Sequence, residues 1–177
     1  MGGLAKTGAS SPGGETEYAL YTINEWPHGA NASNALPVNA NNVFLDWVEV
    51  EFRRTIDQLG VVHGLSAGNN MRLGIYRDNG GLPDGGALLG ETNAVARAGA
   101  FTTQMVNLIT PVTLAPGLYW IGFVLDVNDT INRICVDAGF YNTRMFVSVF
   151  GALPNPCPAT AYQASTQRKL ARISSIP

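Results

Sequence analysis

From Met71 the chain alternates: Met71, Leu73 and Ile75 are apolar, and Arg72, Gly74 and Tyr76 fall between them. A period of two sends successive side chains to opposite faces, which predicts a β-strand with one buried face. The alternation stops at Asp78-Asn79-Gly80-Gly81, followed by Pro83-Asp84-Gly85. Glycine supplies positive φ, proline presets φ, and Asp and Asn bond to nearby backbone, so a compact loop is predicted there. Further on, Ala115-Pro116-Gly117 predicts a tight turn feeding a nearly unbroken apolar run from Leu118 to Val127. That run is about half the length a membrane-spanning helix needs.

The same grammar recurs along the chain. Strands are predicted at Tyr18 to Ile23, Val43 to Phe52, Leu59 to His63, Ala87 to Glu91, Gln104 to Ile109, Ile131 to Val136 and Met145 to Phe150. The tail from Tyr162 to Ile176 suits a final strand around Leu170 to Ser174 or a short helix before it. Pro111 should end the Gln104 strand, and Asn93 to Gly99 suits either a strand or a helical turn. In the Val43 strand, Val48, Val50 and Phe52 should point inward, with Glu49 and Glu51 outward and Trp47 in phase with them. Many short strands with no helical period and no fixed repeat indicate an all-β fold. The expected architecture is an antiparallel β-sandwich of jelly-roll type, spanning 18–177 as one domain. A Gly/Ser/Thr-rich segment, 1–17, reads as an extended N-terminal arm, and 152–160, with its three prolines, as a rigid loop.

Two strands stay apolar on both faces. Leu118, Trp120 and Val124 oppose Tyr119, Ile121, Phe123 and Leu125, while Met145, Val147 and Val149 oppose Phe146 and Phe150. Each sheet of a sandwich ordinarily has one wet face. A second apolar face must therefore be covered by a loop, by the arm or by another subunit. On this reading Tyr119, Phe123, Phe146 and Phe150 are the candidate residues for subunit contacts.

Charged residues make up 14% of the chain, against roughly 25% in ordinary soluble domains. The surface is then rich in Asn, Thr, Ser, Gly and Ala. That suits a protein packed against copies or neighbours, and equally a weakly charged secreted or virion domain. The net charge of −2 leaves no basic field for nucleic acid, and Arg168, Lys169 and Arg172 cluster only near the end. The N-terminus lacks an apolar signal core, and Lys6 stands where myristoylation favours Ser or Thr. The spacing of Cys135 and Cys157 does not decide whether they pair; free thiols are expected.

Catalytic patterns are sparse. His63 lies among Val61, Val62 and Leu65, as a structural histidine would, and His28 follows a Trp-Pro break. No GxSxG elbow, HExxH helix or P-loop occurs. Glu49 with Glu51, and Asp126 with Asp129, read as surface patterning. Asp78, Asn79 and Asp84 carry oxygen ligands suited to calcium but lack EF-hand spacing, and a plain turn explains them. No enzyme, cofactor or metal is expected. Sugar binding needs an aromatic platform beside amides and carboxylates. Among Trp26, Trp47, Trp120, Tyr141 and Tyr162, the glycan-stacking candidates are Trp47 and Trp26, with host-surface polysaccharide as the ligand.

The segments MRLGIYRDNGGLPDGGALLGE and VTLAPGLYWIGFVLD resemble a β-sandwich module that recurs in tailed bacteriophages. The matching positions are Arg72 to Tyr76, Pro83 and Pro116 to Trp120, within roughly 43 to 150. Such modules occur in capsid decoration proteins, head fibres, tail fibres and other appendages. The resemblance implies a non-enzymatic virion protein on the particle surface. Its partners would be other virion proteins and copies of itself, with a trimer as one option. The short chain has no long stalk, which favours a capsid-bound or appendage-base protein over a distal receptor-binding tip. The alternative it implies is a glycan-binding host-attachment domain.

Overall fold

The computed structural model describes residues 35–62, 68–98, 103–132, 134–135, 144–162, 167–168 and 171–175. The expected arm 1–17, the Tyr18 strand, Trp26, His28, His63 and Tyr141 lie outside them. Among the described residues there is no helix, and every pairing is antiparallel. The strands are β1 (Ala35–Val38), β2 (Asn42–Val50), β3 (Arg54–Val62), β4 (Asn70–Arg77), β5 (Leu88–Glu91), β6 (Val95–Ala96) and β7 (Thr103–Leu114). They continue with β8 (Gly117–Leu125), β9 (Asp129–Asn132), β10 (Ile134–Cys135), β11 (Arg144–Val147), β12 (Ala161–Tyr162), β13 (Gln167–Arg168) and β14 (Ala171–Ser175).

The large sheet runs β12-β11-β2-β8-β4-β5, with β6 also on β4; the small sheet runs β14-β3-β7. β1-β9 and β10-β13 form two further two-stranded sheets. One hydrophobic core joins the two main sheets. The large sheet gives it Phe44, Val48, Val50, Met71, Leu73, Ile75, Tyr119, Ile121, Phe123 and Leu125; the small sheet gives Ile56, Leu59, Val106, Leu108 and Leu114. This is a β-sandwich-like all-β fold, as the alternation requires.

β2 and β3 pair with β8 and β7 as one ribbon folded over a corner, with Val50 opposite Gly117 and Arg54 opposite Leu114. Phe52 sits on that corner and is 68% exposed. The inward position expected for it is therefore corrected: β2 ends at Val50, and the turn swings the next side chains outward. A second correction concerns β7, which continues through Pro111. The register jumps from Gln58 opposite Asn107 to Ile56 opposite Val112. The extra residues form a bulge that takes the proline without costing a ladder bond. Thr92 closes the neighbouring side. It bridges to Leu108, donates its N–H to Leu73 O at 2.9 Å, and accepts the Leu73 N–H on Oγ1 at 3.1 Å.

The outer face of the large sheet is covered by the chain itself. Val43, Leu45, Tyr76, Trp120, Val124 and Phe146 are buried there beneath Leu153 and Cys157 of the 148–160 segment. Among the described residues the cover is a loop, one of the three expected. Gly74 and Gly122 are opposed in adjacent strands and leave a trough in this face. A Cβ at Gly74 would lie 2.3 Å from Leu153 Cδ1, so only glycine leaves room for that leucine.

Candidate interaction surface

The two resembling segments meet in space. β4 carries RLGIY and β8 carries GLYW, and they are adjacent, with Tyr76 opposite Trp120. The loop after β4 starts with Asp78, whose Oδ1 accepts the Trp120 Nε1–H at 2.8 Å and whose Oδ2 accepts the Gly81 N–H at 2.8 Å. Asp84 accepts from Thr160 through both its N–H and its hydroxyl. The Asp78 carboxylate thus ties the turn to Trp120, and the Asp84 carboxylate ties it to Thr160. Among the described residues, no group of three potential metal ligands occurs.

The 148–160 strap is held along its length. Ser148 N–H donates to Asn41 O at 2.7 Å, and Phe150 N–H to Asn41 Oδ1 at 2.8 Å. The Leu153 N–H reaches Glu91 Oε2 at 3.0 Å, and this oxygen also pairs with Arg72 at 3.1 Å. Tyr76 donates its hydroxyl to Pro154 O at 3.1 Å, and the Leu88 N–H donates to Asn155 Oδ1 at 3.0 Å. Gly85 and Cys157 close the far end, with Gly85 N–H to Cys157 O at 2.8 Å and Cys157 N–H to Gly86 O at 2.9 Å. Burial, with a lesser push from the Asp84 charge, raises the Cys157 thiol to about 12. The Tyr76 phenol is also raised, by burial first and then by Cys157 and Glu91. Cys157 is a free thiol, as expected, and an inert one.

These contacts correct the expected interface. Tyr119 and Phe123 belong to the core between the sheets, and Phe146 to the core under the strap. Phe150 is half-buried and packs on that second core. Tyr119, Phe123 and Phe146 are therefore buried within the chain, and Phe150 is covered in part. Trp47 does lie on the outer face, opposite Trp120, but it is half-buried against the Trp120 cluster and forms no open platform. A groove of about 310 Å³ between β6 and β7 is lined by Asn93, Val95, Gln104, Met105, Val106 and Asn107, with no aromatic ring among them.

The exposed apolar side chains are different ones. Val147 is 74% and Val149 83% exposed. They alternate with Phe146 and Phe150, so this segment is apolar on both faces, and the open face is the valine one rather than the expected phenylalanine one. The strap curls over the phenylalanine side. β11 lies between β12 and β2 at one edge of the large sheet. Val127 is exposed as well, two residues past the end of β8, where the Asn41 N–H donates to Leu125 O at 3.1 Å. Phe52 and Leu118 form a second apolar tip at the opposite corner. The small sheet exposes Ile109, at 55%, in β7, on a strand pair that otherwise carries polar bonds outside: Thr55 with Thr113 at 2.8 Å and Gln58 with Asn107 at 2.8 Å. A scan of protein-family models and a search of curated proteins each returned no match to this chain.

Proposed function

We propose that this chain is a structural protein on the surface of a bacteriophage virion, a capsid decoration, head-fibre or appendage component that works through protein–protein contacts. The observation that carries the reading is the union of the two resembling segments. RLGIY and GLYW are hydrogen-bonded neighbours, and the loop following the first is fastened to the tryptophan of the second. They therefore behave as one structural unit. The roles of Asp78, Glu91 and Asp84 in holding loops also favour a scaffold over a reactive centre.

The contact surface in this reading is the exposed row Val147, Val149 and Val127, with Phe52 and Leu118 at the other end. Arm 1–17, jelly-roll connectivity and self-association belong to the same proposal. The test is imaging of native particles carrying a tagged copy, alongside a chain lacking 1–17. Tag density on the particle, lost with the arm, supports the reading; particles devoid of tag overturn it. Binding of host-surface polysaccharide that disappears in Trp47→Ala would replace it with the glycan-binding alternative.

A further inference from the structure

The loop between β4 and β5 holds Asn79-Gly80, the single Asn-Gly pair in the sequence. Asn79 is exposed. Its Nδ2 donates to Asp84 O at 2.8 Å and its N–H to Leu82 O at 2.8 Å. Gly80 has φ +72°, and no atom lies within 4 Å of where a Cβ would stand. Among the described residues, no hydrogen bond engages the Gly80 N–H.

We propose that Asn79 is a site of spontaneous deamidation, and that the product unlatches the 148–160 strap. The Gly80 nitrogen attacks the Asn79 side-chain carbonyl carbon and gives up its proton. The Cγ–Nδ2 bond breaks, ammonia leaves, and a five-membered succinimide closes. Water then opens the ring at either carbonyl, leaving an aspartyl or isoaspartyl residue at position 79. No oxidant or reductant takes part. Glycine at position 80 favours the step because no side chain shields the attacking nitrogen.

The consequence follows from the Asp84 bond. Deamidation replaces the Nδ2 donor with a carboxylate oxygen facing the Asp84 carbonyl, so a bond becomes a repulsion between acceptors. Asp84 holds Thr160, and the next two residues hold Cys157. Displacing this turn loosens the end of the strap that buries the thiol. The intact Nδ2 bond restrains the leaving nitrogen, so the folded chain reacts more slowly than the free peptide.

The purified full chain is aged in mildly alkaline buffer and treated with a maleimide. It is then digested, and both modifications are located by mass spectrometry. Asn79 should react fastest of the asparagines, well ahead of exposed Asn93. Cys157 labelling in the deamidated fraction should rise about five- to tenfold, the effect of one lost hydrogen bond on a local opening equilibrium. Asn79→Asp should reproduce that rise without ageing, and Asn79→Gln should not. Asn79 reacting no faster than Asn93 would overturn the modification site. Unchanged Cys157 labelling in Asn79→Asp would overturn the latch.

Discussion

Trp120 Nε1 donates to Asp78 Oδ1 at 2.8 Å, tying the central strand of the large sheet to a loop 42 positions earlier. Trp120 is 2% exposed, so its N–H has no solvent to fall back on. Asp78→Ala strands that donor and also frees the Gly81 N–H. The expected loss is about 2–4 kcal/mol, one buried unsatisfied donor plus one turn bond. Urea denaturation measures it. Trp120→Phe in the same background should recover part of the loss, because it removes the orphaned donor.

Gly74→Ala meets Leu153 Cδ1 at 2.3 Å. The strap must lift or the leucine must change rotamer, at about 1–3 kcal/mol. Leu153→Ala alone should cost about 2–4 kcal/mol as a buried truncation. The pair should be non-additive: with the leucine shortened, alanine at position 74 has room. A double-mutant cycle by denaturation gives the coupling, and additive losses would refute a direct contact.

The alternation at Met71, Leu73 and Ile75 and the run from Leu118 contained the fold class and the pair of central strands. They also showed that β8 is apolar on both sides. What they could not contain was the strap. Its approach depends on Gly74 and Gly122 meeting across strands that are distant in sequence. It depends as well on Asp84, Glu91 and Asn41 receiving N–H groups from residues about 60 to 110 positions away. Those bonds exist only after the sheet has formed. That is why Tyr119, Phe123, Phe146 and Phe150 read as surface contacts, although the first three are core and Phe150, part of the strap itself, packs down on the second core. Val147 and Val149 carried a signal, the opposite phase of the same alternation, but choosing the phase needed the position of the strap. Phe52 misled for a different reason: period two holds along a strand and lapses at a corner.

The buried thiol sets an alkaline limit. Cys157 is raised from 9.0 to about 12, so between these values the unfolded chain has lost a proton that the folded chain keeps. The folded state binds more protons, and stability falls as pH rises through that window. Below pH 9 this contribution is fully present. Tyr76 acts in the same direction from its ordinary value of 10.0 upward. Cys157→Ala should flatten the fall between pH 9 and 10, and adding Tyr76→Phe should flatten the rest. Denaturation midpoints across pH 8 to 11.5 check both, and an unchanged slope in the double variant would rule out these groups as the cause.

Surface and core can be separated by substitution. Val147 and Val149 are exposed, so Val147→Asp and Val149→Asp should change folding stability by no more than about 0.5 kcal/mol. Tyr119→Ala and Phe123→Ala should each cost about 3–5 kcal/mol, because both rings fill the core between the sheets. If the valine row is a contact surface, a carboxylate there is desolvated against apolar atoms, so assembly should fail while the fold survives. Sedimentation of the purified chain, with incorporation into particles, distinguishes the cases. Normal assembly by the double aspartate variant would remove the Val147–Val149 row from the contact surface. The Phe52–Leu118 corner would then be the apolar tip to test, with Phe52→Asp as the matching substitution.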